Sequence, residues 1–338
     1  MADLAGTAAA LVAPGKGILA ADESIGTMSA RLTSAGVAPT RENRRAYREL
    51  LVTAPGLASA ISGVILCDET LRQRLGDGRP FPVALAGLGL LTGIKVDAGA
   101  KPLPGAPGET VTEGLDGLAP RLAGYAELGA AFAKWRAVLR IGDGRPSRAA
   151  VRANAQALGR YAAACQQEGL VPVVEPEVLM DGPHSLAQCE TVTALVLLEV
   201  MSELQEYGAD LAGVVLKPNM AVPGSGCPEA AAPHQVADAT MAALGSVPAT
   251  LAGVAFLSGG QPPEQATRHL AALQALPHVW PLTFSFGRAL VDPALAAWHG
   301  DPACREAGQQ ALARRAALNA AALTGTYRDD LEREPALG

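Results

Sequence analysis

The chain has 338 residues, 49% of them hydrophobic and only 18% charged, with a formal net charge of −6 at pH 7. This balance excludes a disordered or collagen-like polymer, and a negative net charge without a basic block argues against a nucleic-acid partner. Apolar stretches are interrupted by Gly, Pro or charge, whereas crossing a bilayer needs about 20 predominantly apolar residues, so no membrane partner is expected.

At the N-terminus, Asp3 stands where a signal peptide would carry positive charge, and the start reads as mature protein. Eight short apolar runs bounded by Gly or Pro then follow in chain order. The first, Gly17–Asp22 (GILAAD), ends in Asp22 and leads to Ser24, Thr27 and Arg31. Gly63–Asp68 (GVILCD) is the second, and the third, Gly93–Asp97 (GIKVD), carries Lys95. The fourth, Phe132–Ile141, holds Lys134 and Arg136, and the fifth, Val171–Pro176 (VPVVEP), holds Glu175 with Glu177 just beyond. In the sixth, Gly213–Pro218 (GVVLKP), one amine, Lys217, interrupts an apolar run. Gly253–Ser258 leads into Ser258-Gly259-Gly260, and Trp280–Phe286 contains Ser285 and leads into Gly287 and Arg288. Helices are predicted between them, over Ser147–Glu168, Ser185–Tyr207, Pro228–Leu244 and Pro263–Leu276.

The runs start 27 to 46 residues apart, the length of a strand, a crossover helix and two loops. Their hydrophobicity is mostly continuous, as in a parallel sheet buried on both faces, so the predicted fold is an α/β (β/α)8 TIM barrel forming a single domain over residues 1–338. A doubly wound sheet fits less well, because its G-x-G-x-x-G fingerprint does not follow the first strand. The charge-rich tail, residues 324–338, is expected to be mobile. Five widely spaced cysteines without C-x-x-C fit free thiols in the cytoplasm, and the five histidines show no metal-ligand spacing, so no metal is expected.

A barrel builds its active site at the C-terminal ends of its strands, where these polar residues fall. Side chains two apart on a strand share a face, so Lys95 with Asp97, Lys134 with Arg136 and Glu175 with Glu177 should point into the mouth together. A purely structural ion-pair network is the competing explanation. In an apolar strand, desolvation and a neighbouring cation such as Lys134 favour a free, nucleophilic amine on Lys217, the requirement for a Schiff base with a carbonyl substrate. Loss of water from the carbinolamine needs a proton shuttle. Glu175 is the choice, though sequence does not separate it from Glu177. Asp22 is placed to take a proton from a substrate hydroxyl, or else caps the following helix. Ser258, Gly259 and Gly260, with Ser285, Gly287 and Arg288, form loops suited to a phosphate, and Ser24, Thr27, Arg31 and Lys95 a second anion site.

These residues lie in motifs that resemble the class I, Schiff-base fructose-1,6-bisphosphate aldolases. The resemblance rests on GKGILAADES (Gly15–Ser24), RENRRAYRELL (Arg41–Leu51), GIKVD (Gly93–Asp97), FAKWRAVLRIGDG (Phe132–Gly144), RYAAACQQEGLVPVVEPEVL (Arg160–Leu179), LKPNM (from Leu216), FLSGGQ (Phe256–Gln261) and SFGRAL (Ser285–Leu290). It implies a cytoplasmic, metal-free lyase of glycolysis and gluconeogenesis, usually a homotetramer. The implied reaction is reversible cleavage of fructose 1,6-bisphosphate to dihydroxyacetone phosphate and glyceraldehyde 3-phosphate.

By motif, the resemblance implies Lys217 as the Schiff-base residue, Glu175 as acid/base and Asp22 as the group handling the C4 hydroxyl. Lys134 and Glu177 support charge and orientation, and Arg136 lines the site. Ser258, Gly259 and Arg288 correspond to the phosphate site of the ketone half, with Ser24, Thr27, Arg31 and Lys95 near the other phosphate. Where animal members usually have Lys, Ser, Lys and Tyr, this chain has Arg140, Thr27, Ala30 and Phe286. It has no aromatic residue after Tyr327, whereas those members end in a tyrosine that influences turnover. A monophosphate-specific Schiff-base lyase or a catalytically silent binding barrel would share the fold.

Overall fold

The computed structural model describes residues 3–333. Ten strands occur among the described residues: β1 (Gly17–Ala21), β2 (Ile61–Leu66), β3 (Leu91–Lys95), β4 (Ala100–Pro102), β5 (Thr110–Thr112), β6 (Phe132–Leu139), β7 (Val171–Val178), β8 (Val215–Leu216), β9 (Gly253–Phe256) and β10 (Leu282–Phe286). Eight of them close a parallel barrel in the order β1-β10-β9-β8-β7-β6-β3-β2, the (β/α)8 fold predicted from the spacing. The other two, β4 and β5, form an antiparallel hairpin that the sequence reading did not anticipate. Ala100 and Thr112 of this hairpin reach the rim of the barrel mouth.

Two apolar layers hold the barrel. Outside, residues such as Leu19, Val64, Ile94, Trp135, Val174 and Phe256 pack against the helices. Inside, Ile18, Ala20, Ile65, Phe132, Val171, Val173, Val215 and Ala255 pack with Ala8 and Leu11 of the helix Leu4–Leu11, whose apolar residues thus join the barrel interior. Inward side chains recur every second residue, so each strand has a fixed inner set. At Gly93 the barrel leaves no room for a side chain: an added Cβ would lie 2.2 Å from the Phe132 ring.

The strand boundaries differ from expectation where local chemistry decides them. The sixth barrel strand is reduced to Val215–Leu216, because Leu211–Gly213 form a 3-10 turn whose Ala212 N–H is taken by Asp210. Pro218 then has no N–H to continue the ladder. Lys217 nevertheless donates its backbone N–H to Val174 O at 2.7 Å, so its placement is fixed by the neighbouring strand. The fifth barrel strand runs on to Val178 and includes Glu177. The helix expected from Pro228 starts at Pro233, with Gln235 accepting from the Ala232 N–H. Within the tail, residues up to Arg333 are held against the barrel helices: Arg315 pairs with Glu332 at 2.5 Å, Tyr327 donates to Glu332, and Arg268 pairs with Asp329. Residues 334–338 of that tail lie outside the described residues.

Candidate active site

Each inward row changes character along its strand. Ile18 and Ala20 are followed by Asp22, Phe132 by Lys134 and Arg136, Val171 and Val173 by Glu175 and Glu177, and Val215 by Lys217. Apolar residues therefore fill the barrel floor and ionic ones its C-terminal mouth, where they line a cavity of about 720 Å³. Register sets their heights: Lys95 stands opposite Lys134 and Arg136 opposite Glu175 in the parallel ladders.

The centre is a buried quartet. Lys134 Nζ lies 2.6 Å from Asp22 Oδ2 and 3.2 Å from Glu175 Oε2, while Lys217 Nζ lies 3.1 Å from Glu175 Oε1. All four are less than a tenth exposed. Desolvation costs several kcal/mol per isolated ion. With both lysines protonated, two cations face two anions and the group is neutral overall. Burial alone would raise the carboxyl of Asp22, but the charges of Lys134 and Lys217 outweigh it and hold the group below its ordinary value. Glu175 is likewise pushed up by burial and pulled below its ordinary value by Lys134, Lys217 and Arg136. Burial opposes the Lys134 charge, yet Asp22, Glu175 and Asp97 keep it a firm cation.

A second tier surrounds this centre. Arg136 pairs with Glu177, and Lys95 pairs with Asp97, whose carboxylate also accepts the Arg136 and Gly99 backbone N–H groups. This separates the two glutamates that the sequence left equivalent: Glu175 faces both lysines, whereas Glu177 faces Arg136.

Two polar ends flank the quartet. At one, Ser258 and Gly259 follow β9, Ser285 closes β10, and Gly287 precedes the helix Arg288–Trp298. No side chain caps that helix, so its first N–H groups are free to meet an anion. Among the described residues Arg288 has no ion pair, and the buried Ser285 hydroxyl has no partner. Gly260 is not part of the cavity lining. It lies behind it at φ +87°, a conformation that favours glycine, and an added Cβ would sit 3.1 Å from Arg288 Nη2. At the other end are Ser24, Thr27, Arg31 and Lys95. Ser24, and not Asp22, caps the helix Ile25–Ser34, accepting from the Thr27 N–H at 3.2 Å, which leaves Asp22 to the quartet.

The sequence reading missed three residues of this second end. Glu23 bridges Arg31 and Arg48, and Asp292 pairs with Arg31 from the helix Arg288–Trp298. Arg48, 1% exposed, also donates to Ala21 O at 2.7 Å and so fixes the end of β1 beside Asp22. Glu23 carried a local signal, its place between Asp22 and Ser24. Asp292 carried none, since its partner is 261 residues away. Among the described residues the grouping with metal-ligand spacing, His299, Asp301 and Cys304, is outside the cavity lining.

The family model for class-I fructose-bisphosphate aldolase matches residues 3–336. The chain is 52% identical over 328 residues to the probable fructose-bisphosphate aldolase class 1 of Xanthomonas campestris pv. campestris, covering 96% of this chain and 98% of the relative. To fructose-bisphosphate aldolase B of Gallus gallus it is 50% identical over 321 residues, covering 94% and 88%. The solved structure of fructose-bisphosphate aldolase from Plasmodium falciparum superimposes with a TM-score of 0.95 at 45% identity, covering 96% of this chain and 95% of that one.

Proposed function

The chain belongs to the class I fructose-bisphosphate aldolases, and from that premise we propose that Lys217 carries the reaction as a Schiff-base nucleophile. The activity is that of a fructose-bisphosphate aldolase, a lyase of glycolysis. One observation carries the assignment of Lys217: the residue is 3% exposed and its amine stands 3.1 Å from a carboxylate that can take and return its proton.

In the proposed sequence Glu175 takes a proton from the Lys217 ammonium 3.1 Å away, the freed Nζ attacks the C2 carbonyl of fructose 1,6-bisphosphate, and a proton of the adduct's nitrogen passes to the C2 oxygen to give the carbinolamine. Glu175 delivers a proton to the departing hydroxyl as the carbinolamine loses water. The resulting iminium keeps a positive charge beside Glu175, so the quartet's balance survives the step. Asp22 accepts the C4 hydroxyl proton as C3–C4 breaks, the electron pair moves into the iminium to give an enamine, and glyceraldehyde 3-phosphate leaves. Protonation at C3 and addition of water then release dihydroxyacetone phosphate. Lys134 holds Asp22 and Glu175 ionised, and Glu177 orients Arg136. The near phosphate is assigned to Ser258, Gly259, Ser285, Gly287 and Arg288, with Gly260 behind them. The remote phosphate is assigned to Ser24, Thr27, Arg31 and Lys95. No metal is required by this sequence of steps.

Borohydride trapping with dihydroxyacetone phosphate in the presence of EDTA tests the assignment. One adduct per chain, mapped to Lys217, is expected; an adduct elsewhere, or none, overturns it. We further propose a cytoplasmic homo-oligomer, a tetramer, supported by the family, by five unpaired cysteines and by exposed Leu195 and Leu198 on the helix Leu186–Glu206. Light scattering tests the assembly.

A further inference from the structure

Arg31 lies between two carboxylates. Glu23 approaches from the end of β1, and Asp292 reaches across from the helix Arg288–Trp298. Their situations differ. Glu23 already serves the buried guanidinium of Arg48 at 2.7 Å, so its charge is committed to holding the loop. Asp292 is half exposed, and Arg31 is its ion-pair partner. It also stands one helical turn after Arg288, so the helix that offers a cation to the near phosphate also offers an anion to the remote cation.

The two ends are therefore electrostatically unequal. Arg288 has no ion pair among the described residues, whereas Arg31 and Lys95 together face Glu23, Asp97 and Asp292. A remote phosphate dianion reaching Arg31 must displace the Asp292 carboxylate or bind beside it, and like charges at that distance repel. Resting on the aldolase reading and its two phosphate ends, we propose that Asp292 is a specificity-determining residue. It competes with the remote phosphate for Arg31, weakening the grip on the bisphosphate and narrowing its advantage over a ketose 1-phosphate that lacks that group.

Steady-state cleavage of fructose 1,6-bisphosphate and fructose 1-phosphate by wild type, Asp292→Asn and Asp292→Glu tests this. Asp292→Asn should lower KM for the bisphosphate about fivefold, the scale of a partly exposed charge pair, with kcat unchanged. Its kcat/KM for the monophosphate should not change, Asp292→Glu should behave as wild type, and the gain should shrink as salt rises. An unchanged bisphosphate KM in Asp292→Asn, or an equal change with both sugars, overturns the inference alone. A wild-type protein that cleaves neither sugar and forms no borohydride adduct overturns the aldolase reading and this inference with it.

Discussion

Lys217 Nζ stands 3.1 Å from Glu175 Oε1, with both side chains almost wholly buried in the barrel mouth. The other oxygen of that carboxylate faces Lys134 at 3.2 Å, so one glutamate divides its charge between two amines. Such a carboxylate is positioned to exchange a proton with Lys217 while Lys134 limits the loss of charge.

Glu175→Gln keeps the shape and removes the proposed proton carrier. The rate of imine trapping by borohydride should fall by about 10²- to 10⁴-fold, the usual contribution of a positioned acid or base. Phosphate binding should persist, read as protection by inorganic phosphate against thermal unfolding. A trapping rate equal to wild type would transfer the role to another group, with Glu177 the first to test.

Lys134→Met leaves Asp22 and Glu175 buried without their main cation. At neutral pH the substitution should cost about 3–5 kcal/mol of unfolding free energy, the range for breaking a buried ion pair. The sign of the pH dependence follows from the lowered native values of both carboxyls. Their stabilisation is complete above the ordinary carboxylate range and is lost as the pH falls through the native values. The gap between wild type and Lys134→Met should therefore close in acid. Urea midpoints that differ equally at neutral and acidic pH would contradict this.

His269 is 2% exposed, donates from Nδ1 to Gln261 Oε1 at 2.5 Å, and is pushed down by burial to about 4. Between its ordinary value of 6.5 and that native value, the unfolded chain takes up a proton that the folded chain refuses. Stability should thus decline as pH drops through this window, by up to about 3 kcal/mol from this group alone. In His269→Gln the decline between neutral and acidic denaturation curves should be correspondingly shallower. An identical slope in the two proteins would show that His269 does not contribute.

Gly93→Ala would force a methyl onto the Phe132 ring inside the barrel. A loss of about 1–3 kcal/mol is expected from overpacking, with partial recovery when Phe132→Leu is added. Strictly additive effects in the double variant would mean that the two side chains do not compete for space.

The barrel was legible in the amino-acid string, and so were the ionic residues that line its mouth. Eight apolar runs at crossover spacing leave few other closures, and the two-residue alternation within strands puts Lys134 with Arg136 and Glu175 with Glu177 on shared rows. Local patterns could not supply the partners. Register, which arises from contacts between distant strands, gave Glu175 to the lysines and Glu177 to Arg136. Only the closed barrel brought β1 beside β10, so that Asp292 reaches Arg31 across 261 residues of chain. An ion pair of that kind is a property of distance in space, which an amino-acid string does not contain until the barrel has closed.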